Sequence, residues 1–99
     1  MKRLVWNAEK ALLLRNNSAR GNVSFEECVI AIESNKILDD IENPSRNHPN
    51  QRLFVLEIDG YAYAVPYVES EKELFLKTVF PSRKLTALYL AGGDHEKEA

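Results

Sequence analysis

Leu53-Phe54-Val55-Leu56-Glu57-Ile58, then Asp59-Gly60, then Tyr61-Ala62-Tyr63-Ala64-Val65-Pro66-Tyr67-Val68 is the stretch on which the fold turns. The first six residues are β-prone and alternate, and Asp-Gly is the pair that a two-residue type I′ turn favours, because both of its positions need φ > 0. The last eight return as a partner strand. An antiparallel hairpin is therefore predicted, and Pro66, which has no N–H to give a ladder, is expected at a bulge or where its side of the strand lacks a partner.

Working outward toward the C-terminus, Glu69-Ser70-Glu71-Lys72-Glu73 reads as a polar turn and Leu74 to Phe80 as another alternating strand, broken by Pro81-Ser82. Ser82 can cap a final helix with apolar positions Leu85, Leu88 and Tyr89, ending at Gly92-Gly93. Toward the N-terminus, Lys36 to Ile41 reads as a short strand, followed by a loop over residues 42–50. Before it, Ser24-Phe25-Glu26-Glu27 is a capping box, with Val23 and Cys28 placed as a hydrophobic staple and Phe25, Cys28, Val29 and Ile32 as the stripe of a helix. Arg3 to Trp6 is a candidate first strand, and Asn7 caps a helix carrying Ala8, Ala11, Leu12 and Arg15 at helical spacing.

The expected architecture is α+β: two N-terminal helices packed on a mainly antiparallel, four- to five-stranded sheet, with a short C-terminal helix. The 99 residues suit one domain, residues 1–93, with 94–99 as a flexible polar tail. A hydrophobic fraction of 44% and a charged fraction of 28% are those of a globular chain. The single cysteine excludes an internal disulfide and a cysteine-based zinc site, and two isolated histidines make a poor basis for another, so no metal or other cofactor is expected. No apolar run approaches the ~20 residues a membrane span needs and no signal segment is evident, which gives a cytoplasmic expectation.

The net charge of −2 conceals an uneven distribution. Residues 1–20 hold five cations against Glu9 alone, while residues 21–50 hold six acids against Lys36 and Arg46. Lys77, Arg83 and Lys84 follow one another without an intervening acid. If folding joins the two cationic ends, an anion-binding surface results; the alternative is solvated charge on unrelated faces. Arg83 and Lys84 in the first turn of a helix work against its dipole, yet with free N–H groups they could converge on a phosphate, Arg83 in bidentate fashion and Lys84 as a point charge. Lys77 could extend that cluster. His48 titrates where acid–base catalysis is useful and sits in a loop, flanked by Arg46 and Arg52 as further phosphate contacts; the plainer reading is a solvated loop histidine. Tyr63 and Tyr89 offer stacking surface for bases, although Tyr61, Tyr63 and Tyr67 share a strand face and could equally be a structural aromatic row. Cys28 reads as a packed small hydrophobe, and Trp6 as core.

Three ordered motifs carry a family resemblance: Val5-Trp6-Asn7-Ala8-Glu9-Lys10, Val23-Ser24-Phe25-Glu26-Glu27, and Lys77-Thr78-Val79-Phe80-Pro81-Ser82-Arg83-Lys84. In these the chain resembles the BrnT-like toxins of the RelE/ParE-type ribonuclease superfamily, over residues 5–84. The resemblance implies a RelE-like α+β fold, metal-independent cleavage of RNA that inhibits translation and growth, and neutralisation by a cognate DNA-binding antitoxin in a hetero-oligomer. Arg83, Lys84, Lys77 and His48 are then the candidate catalytic residues, and Arg46, Arg52, Tyr63 and Tyr89 the candidate RNA contacts. The segment Leu85-Thr86-Ala87-Leu88-Tyr89-Leu90 departs from the family in being nearly uncharged. A competing reading is a non-catalytic interaction module of the same fold that acts by binding a partner chain.

Overall fold

The hairpin nucleates a sheet that the rest of the chain extends on both sides. In the computed structural model, which describes residues 2–15, 23–43 and 51–91, β3 (Arg52–Ile58) pairs antiparallel with β4 (Tyr61–Glu69) in the register Ile58↔Tyr61 to Arg52↔Tyr67. Asp59 and Gly60 have φ of 55° and 78°, the left-handed pair that the turn requires. β2 (Ile37–Glu42) flanks β3, and β5 (Glu73–Leu76) flanks β4, both antiparallel. β1 (Arg3–Trp6) then lies parallel to β5, from Arg3↔Glu73 to Trp6↔Leu76.

The order across the sheet is β1-β5-β4-β3-β2, with β6 (Phe80–Pro81) on β4. The chain thus starts at one edge, crosses to the other through α1 (Ala8–Arg15) and α2 (Phe25–Glu33), and meanders back to its starting strand. The sheet is consequently mixed and six-stranded: it is mainly antiparallel as expected, but it carries one parallel pairing, β1 with β5, and more strands than the four or five expected. The parallel closure joins residues some seventy positions apart, and no local pattern announces such a pairing.

Local chemistry explains the helices. Asn7 Oδ1 accepts from the Lys10 N–H at 3.0 Å and starts α1. At α2 the capping box forms in both directions: Glu27 N–H to Ser24 Oγ at 3.2 Å, and Ser24 N–H to Glu27 Oε1 at 3.3 Å. α2 buries Phe25, Cys28, Ala31 and Ile32 against Phe54, Leu56, Val65 and Tyr67 of the sheet, and Trp6 stacks on Phe25 with ring centroids 5.5 Å apart. Among the described side chains of α1, Ala11 packs on this core, while Leu12 and Leu13 are 61% and 65% exposed.

The second difference lies on the opposite face. Leu53, Phe54, Val55 and Leu56 are all buried in succession, so β3 is covered on both sides and its apolar residues form a run instead of strictly alternating. The cover is the C-terminal segment, α3 (Arg83–Thr86) continuing into a π-helical turn at Ala87–Ala91. From it Leu85, Tyr89 and Leu90 pack on Leu53, Val55, Ala62 and Ala64. The expected stop at Gly92-Gly93 and the tail 94–99 lie outside the described residues.

Candidate functional site

Pro66 organises the site. Between the pairs Tyr67↔Leu76 and Ala64↔Phe80, residues 77–79 face only Val65 and Pro66, so the strand predicted as continuous from Leu74 to Phe80 is interrupted by a bulge. Lys77 N–H donates to the Pro66 carbonyl at 2.8 Å, on the side of β4 where the proline has no N–H to offer in return. An unbroken strand would turn Thr78 toward α2 and Val79 away from it. The extra residue changes this: Val79 enters the core under α2 at 1% exposure, while Lys77 and Thr78 both face the other side of the sheet. Phe75 precedes Lys77 on that side, and the ammonium lies 5.1 Å from its ring centroid.

The chain then pins α3 onto β4. Ser82 N–H donates to the Ala62 carbonyl at 3.0 Å, and Ala62 N–H donates to Thr86 Oγ1 at 2.9 Å. Ser82 Oγ caps the helix by accepting from Leu85 N–H at 3.1 Å. The α-helical part has only four residues, and two of its early N–H groups, those of Leu85 and Thr86, are engaged by Ser82. The helix terminus therefore supplies little dipole and few free donors, contrary to the expectation from sequence. What the junction supplies is side-chain charge.

Between the bulge, α3 and the sheet lies a cleft of about 710 Å³. Its floor runs across the strands through Ile41, Leu53 and Pro66, which are successive register partners on β2, β3 and β4. Phe80, Leu85 and Leu88 add apolar wall, and Lys77, Lys84 and Lys10 bring ammonium groups to it. Of the ion pairs formed among the described residues, none uses Lys77, Arg83 or Lys84. Asn43 and Gln51 line the cleft where β2 and β3 enter it, with Asn43 Nδ2 donating to Gln51 Oε1 at 3.1 Å.

The candidate residues divide between the two faces. Lys77, Lys84 and Tyr89 meet in the cleft; Arg83 is exposed on the same turn as Lys84 but does not line it. The Tyr89 hydroxyl donates to Asp39 Oδ2 at 2.6 Å, which pushes the phenol up and, together with the Asp40 N–H, holds the Asp39 carboxyl below its ordinary value. Arg52 and Tyr63 belong to the α2 face. Arg52 Nε contacts Asp40 Oδ1 at 3.2 Å, the same oxygen that accepts from the Tyr67 hydroxyl at 2.7 Å, and Arg52 Nη2 donates to the Asp40 carbonyl. Tyr63 packs beside the core with its ring edge-on to Tyr61 at 6.0 Å, and burial raises its phenol above the usual range. Tyr63 and Tyr67 thus pack with the core, and Arg52 is an ion-pair residue at the start of β3. His48 and Arg46 lie outside the described residues.

Three cleft residues were not singled out from sequence: Lys10, Asn43 and Gln51. Lys10 had a usable signal, since it ends the motif Val5 to Lys10 and adds to the N-terminal positive excess; the two amides had none. Among protein-family models, curated proteins and solved structures, none matches this chain. The site is accordingly read from its own geometry. An apolar floor with three ammonium groups at its rim suits a ligand with a flat, weakly hydrated part and one or more anionic groups. Cys28 takes no part: it is fully buried under α2, and desolvation, reinforced by Glu27 and Glu26, pushes its thiol up to about 12.

Proposed function

We propose that the chain is the toxin of a toxin–antitoxin pair and acts in the cytoplasm as a metal-independent endoribonuclease whose substrate lies in the cleft between the Lys77 bulge and α3. The observation that carries this reading is the convergence of Lys10, Lys77 and Lys84 on one cleft with aromatic and aliphatic walls. It is supported by the resemblance of the Lys77–Lys84 junction, together with the two N-terminal motifs, to BrnT-like toxins. The neutralising partner is an antitoxin that binds DNA, and the two form a hetero-oligomer.

Cleavage of RNA by its own 2′-OH needs the attacking oxygen held in line with the phosphorus, and charge growing on the phosphate needs donors aimed at it. Lys77 and Lys84 are suited to the second task, and Lys10 to holding a neighbouring phosphate. Tyr89 is a poor base at neutral pH, because its hydrogen bond to Asp39 favours the protonated phenol. The contribution of the cleft is therefore positioning and electrostatics, with stacking against Phe80 and Tyr89 orienting a base.

The test is incubation of the purified chain with single-stranded RNA in EDTA. The expected products end in 2′,3′-cyclic phosphate and 5′-OH, and Lys77→Ala with Lys84→Ala slows their formation by about 10²-fold or more. Expression of the wild-type chain without its partner arrests growth. RNA left intact, with growth unaffected, overturns the nuclease reading. The competing reading, a non-catalytic docking module, is favoured by the apolar lining of the cleft and by Leu88, which remains 63% exposed beside it.

A further inference from the structure

The cleft does not end at Lys77. On the far side of that residue lies a second, smaller depression of about 360 Å³, lined by Asn7, Glu9, Lys10, Leu13, Phe75 and Lys77. Lys10 and Lys77 line both spaces, so the two form one track with a pair of ammonium groups at the boundary between them. Of the ion pairs formed among the described residues, none uses either lysine.

Register explains the line of the track. Ile41, Leu53 and Pro66 are partners across β2, β3 and β4, and the Lys77 N–H donates to the Pro66 carbonyl. Trp6 is the partner of Leu76, so Asn7, the next residue, stands beside Lys77 where β1 gives way to α1. The row crosses the whole sheet, four strand spacings of ~4.8 Å or roughly 19 Å, which is more than one nucleotide covers. Phe75 precedes Lys77 by two residues and shares its face, and α1 closes the end of the track with the exposed side chain of Leu13.

The two spaces are alike in chemistry. Each sets apolar side chains against ammonium groups: Phe80 and Leu88 in the larger, Phe75 and Leu13 in the smaller. The smaller one also carries an acid, Glu9, which opposes a phosphate inside it but not a neutral base. Charge therefore favours a phosphate at the boundary and a base beyond it. The ring of Phe75 holds the Lys77 ammonium near that boundary, 5.1 Å from its centroid.

We infer that the depression beside α1 is a second nucleotide subsite. In it a base of single-stranded RNA packs on Phe75 and Leu13, and the phosphate that joins this nucleotide to the one in the cleft lies between Lys10 and Lys77. The inference rests on the ribonucleic-acid reading of the cleft. It is indifferent to base identity, because an aromatic ring and an aliphatic side chain accept the face of any base.

The experiment uses a labelled 2′-O-methyl uridine octamer, whose blocked 2′-oxygens prevent cleavage, and measures fluorescence anisotropy over a range of salt with the full chain, Phe75→Leu, Leu13→Ser and Lys84→Ala. The same octamer built with 4-thiouridine is photo-crosslinked to the wild-type chain, and the crosslinked residues are mapped by mass spectrometry. The expected crosslinks include Phe75 or Leu13 as well as residues of the cleft. Phe75→Leu should weaken octamer binding about fivefold and Leu13→Ser about twofold, with the slope of log affinity against log salt unchanged, since neither removes a phosphate contact. Lys84→Ala should weaken binding and lower that slope by about 0.7. Crosslinks confined to the cleft, or unchanged affinity in both Phe75→Leu and Leu13→Ser, overturn the inference and leave the RNA reading standing. So does a lowered salt slope in Phe75→Leu, which would mean that the ring acts only through Lys77. Sedimentation showing wild-type dimers that Leu13→Ser abolishes assigns the depression to a second copy of the chain and likewise overturns it. Failure of the wild-type chain to bind the octamer overturns both readings.

Discussion

Across the same two strands, β3 and β4, one face presents Phe54, Leu56, Val65 and Tyr67 and the other Leu53, Val55, Ala62 and Ala64. The first meets a nine-residue helix with a double cap and a buried aromatic at its start. The second meets one α-turn and one π-turn. Large side chains pack closely beneath a full helix, so the centre of that face is filled. The short C-terminal turns cover Ala62 and Ala64 and leave the cleft open beside them, over Ile41, Leu53 and Pro66. Burial of large side chains is thus concentrated under α2, and the cleft of about 710 Å³ is on the other side of the sheet.

If this division is right, core truncations should be sharply unequal. Phe25→Ala removes a fully buried ring stacked on Trp6 and should cost about 3–5 kcal/mol in denaturant unfolding. Leu85→Ala, from a half-buried position on the cleft side, should cost about 1 kcal/mol. Equal costs would mean that the two faces share the load and would break the comparison.

The faces should also separate by pH. Under α2 the thiol of Cys28 is raised from about 9 to about 12 and the phenol of Tyr67 from about 10 to about 12, both chiefly by burial. A neutral acid whose folded value is raised contributes stability that is complete below its unfolded value and is lost as pH climbs toward the folded one. Between pH 9 and 10 the loss should be about 1 kcal/mol, mostly from Cys28. Cys28→Ala, whatever its cost at pH 7, should flatten that slope when unfolding is followed at both pH values.

On the cleft face the sign reverses. Asp39 is held low by the Tyr89 hydroxyl, so the tether contributes above the ordinary carboxylate range and fades as pH falls through it. Tyr89→Phe should be less stable than the wild type at pH 7, and the difference should shrink as pH falls through and below the carboxylate range. No difference between the two proteins at pH 7 would place the contribution of Tyr89 in its ring alone.

These contrasts also show which parts of the molecule were legible in the sequence. Ser24 with Glu27, Asp59-Gly60 and the missing donor of Pro66 act over a few residues, and each formed as its chemistry requires. The pairing of β1 with β5 and the covering of Leu53 and Val55 by the C-terminal turns depend on residues far apart in sequence, and composition does not encode them. The site followed the same rule. Lys77 and Lys84, near neighbours in the chain, reach the cleft together; Arg52 and Tyr63 lie on the α2 face, which strand parity alone could not assign without α2 and α3 as reference. Lys10 and Gln51 reach the cleft through the tertiary fold.

The smallest effect on stability should come from the residues with the largest proposed effect on binding. Lys77 and Lys84 are exposed and use none of the ion pairs formed among the described residues. The contact of Lys77 with Phe75 is worth about 0.5–1 kcal/mol at an exposed site, and removing two neighbouring like charges returns part of that. The double variant Lys77→Ala, Lys84→Ala should therefore unfold within about 0.5 kcal/mol of the wild type. Its affinity for single-stranded RNA should nevertheless fall, with the slope of log affinity against log salt reduced by about 1.4 for two lost phosphate contacts. A variant that loses stability in step with affinity would show that these lysines hold the bulge in shape, and the line between a filled face and an open one would have to be redrawn through the bulge itself.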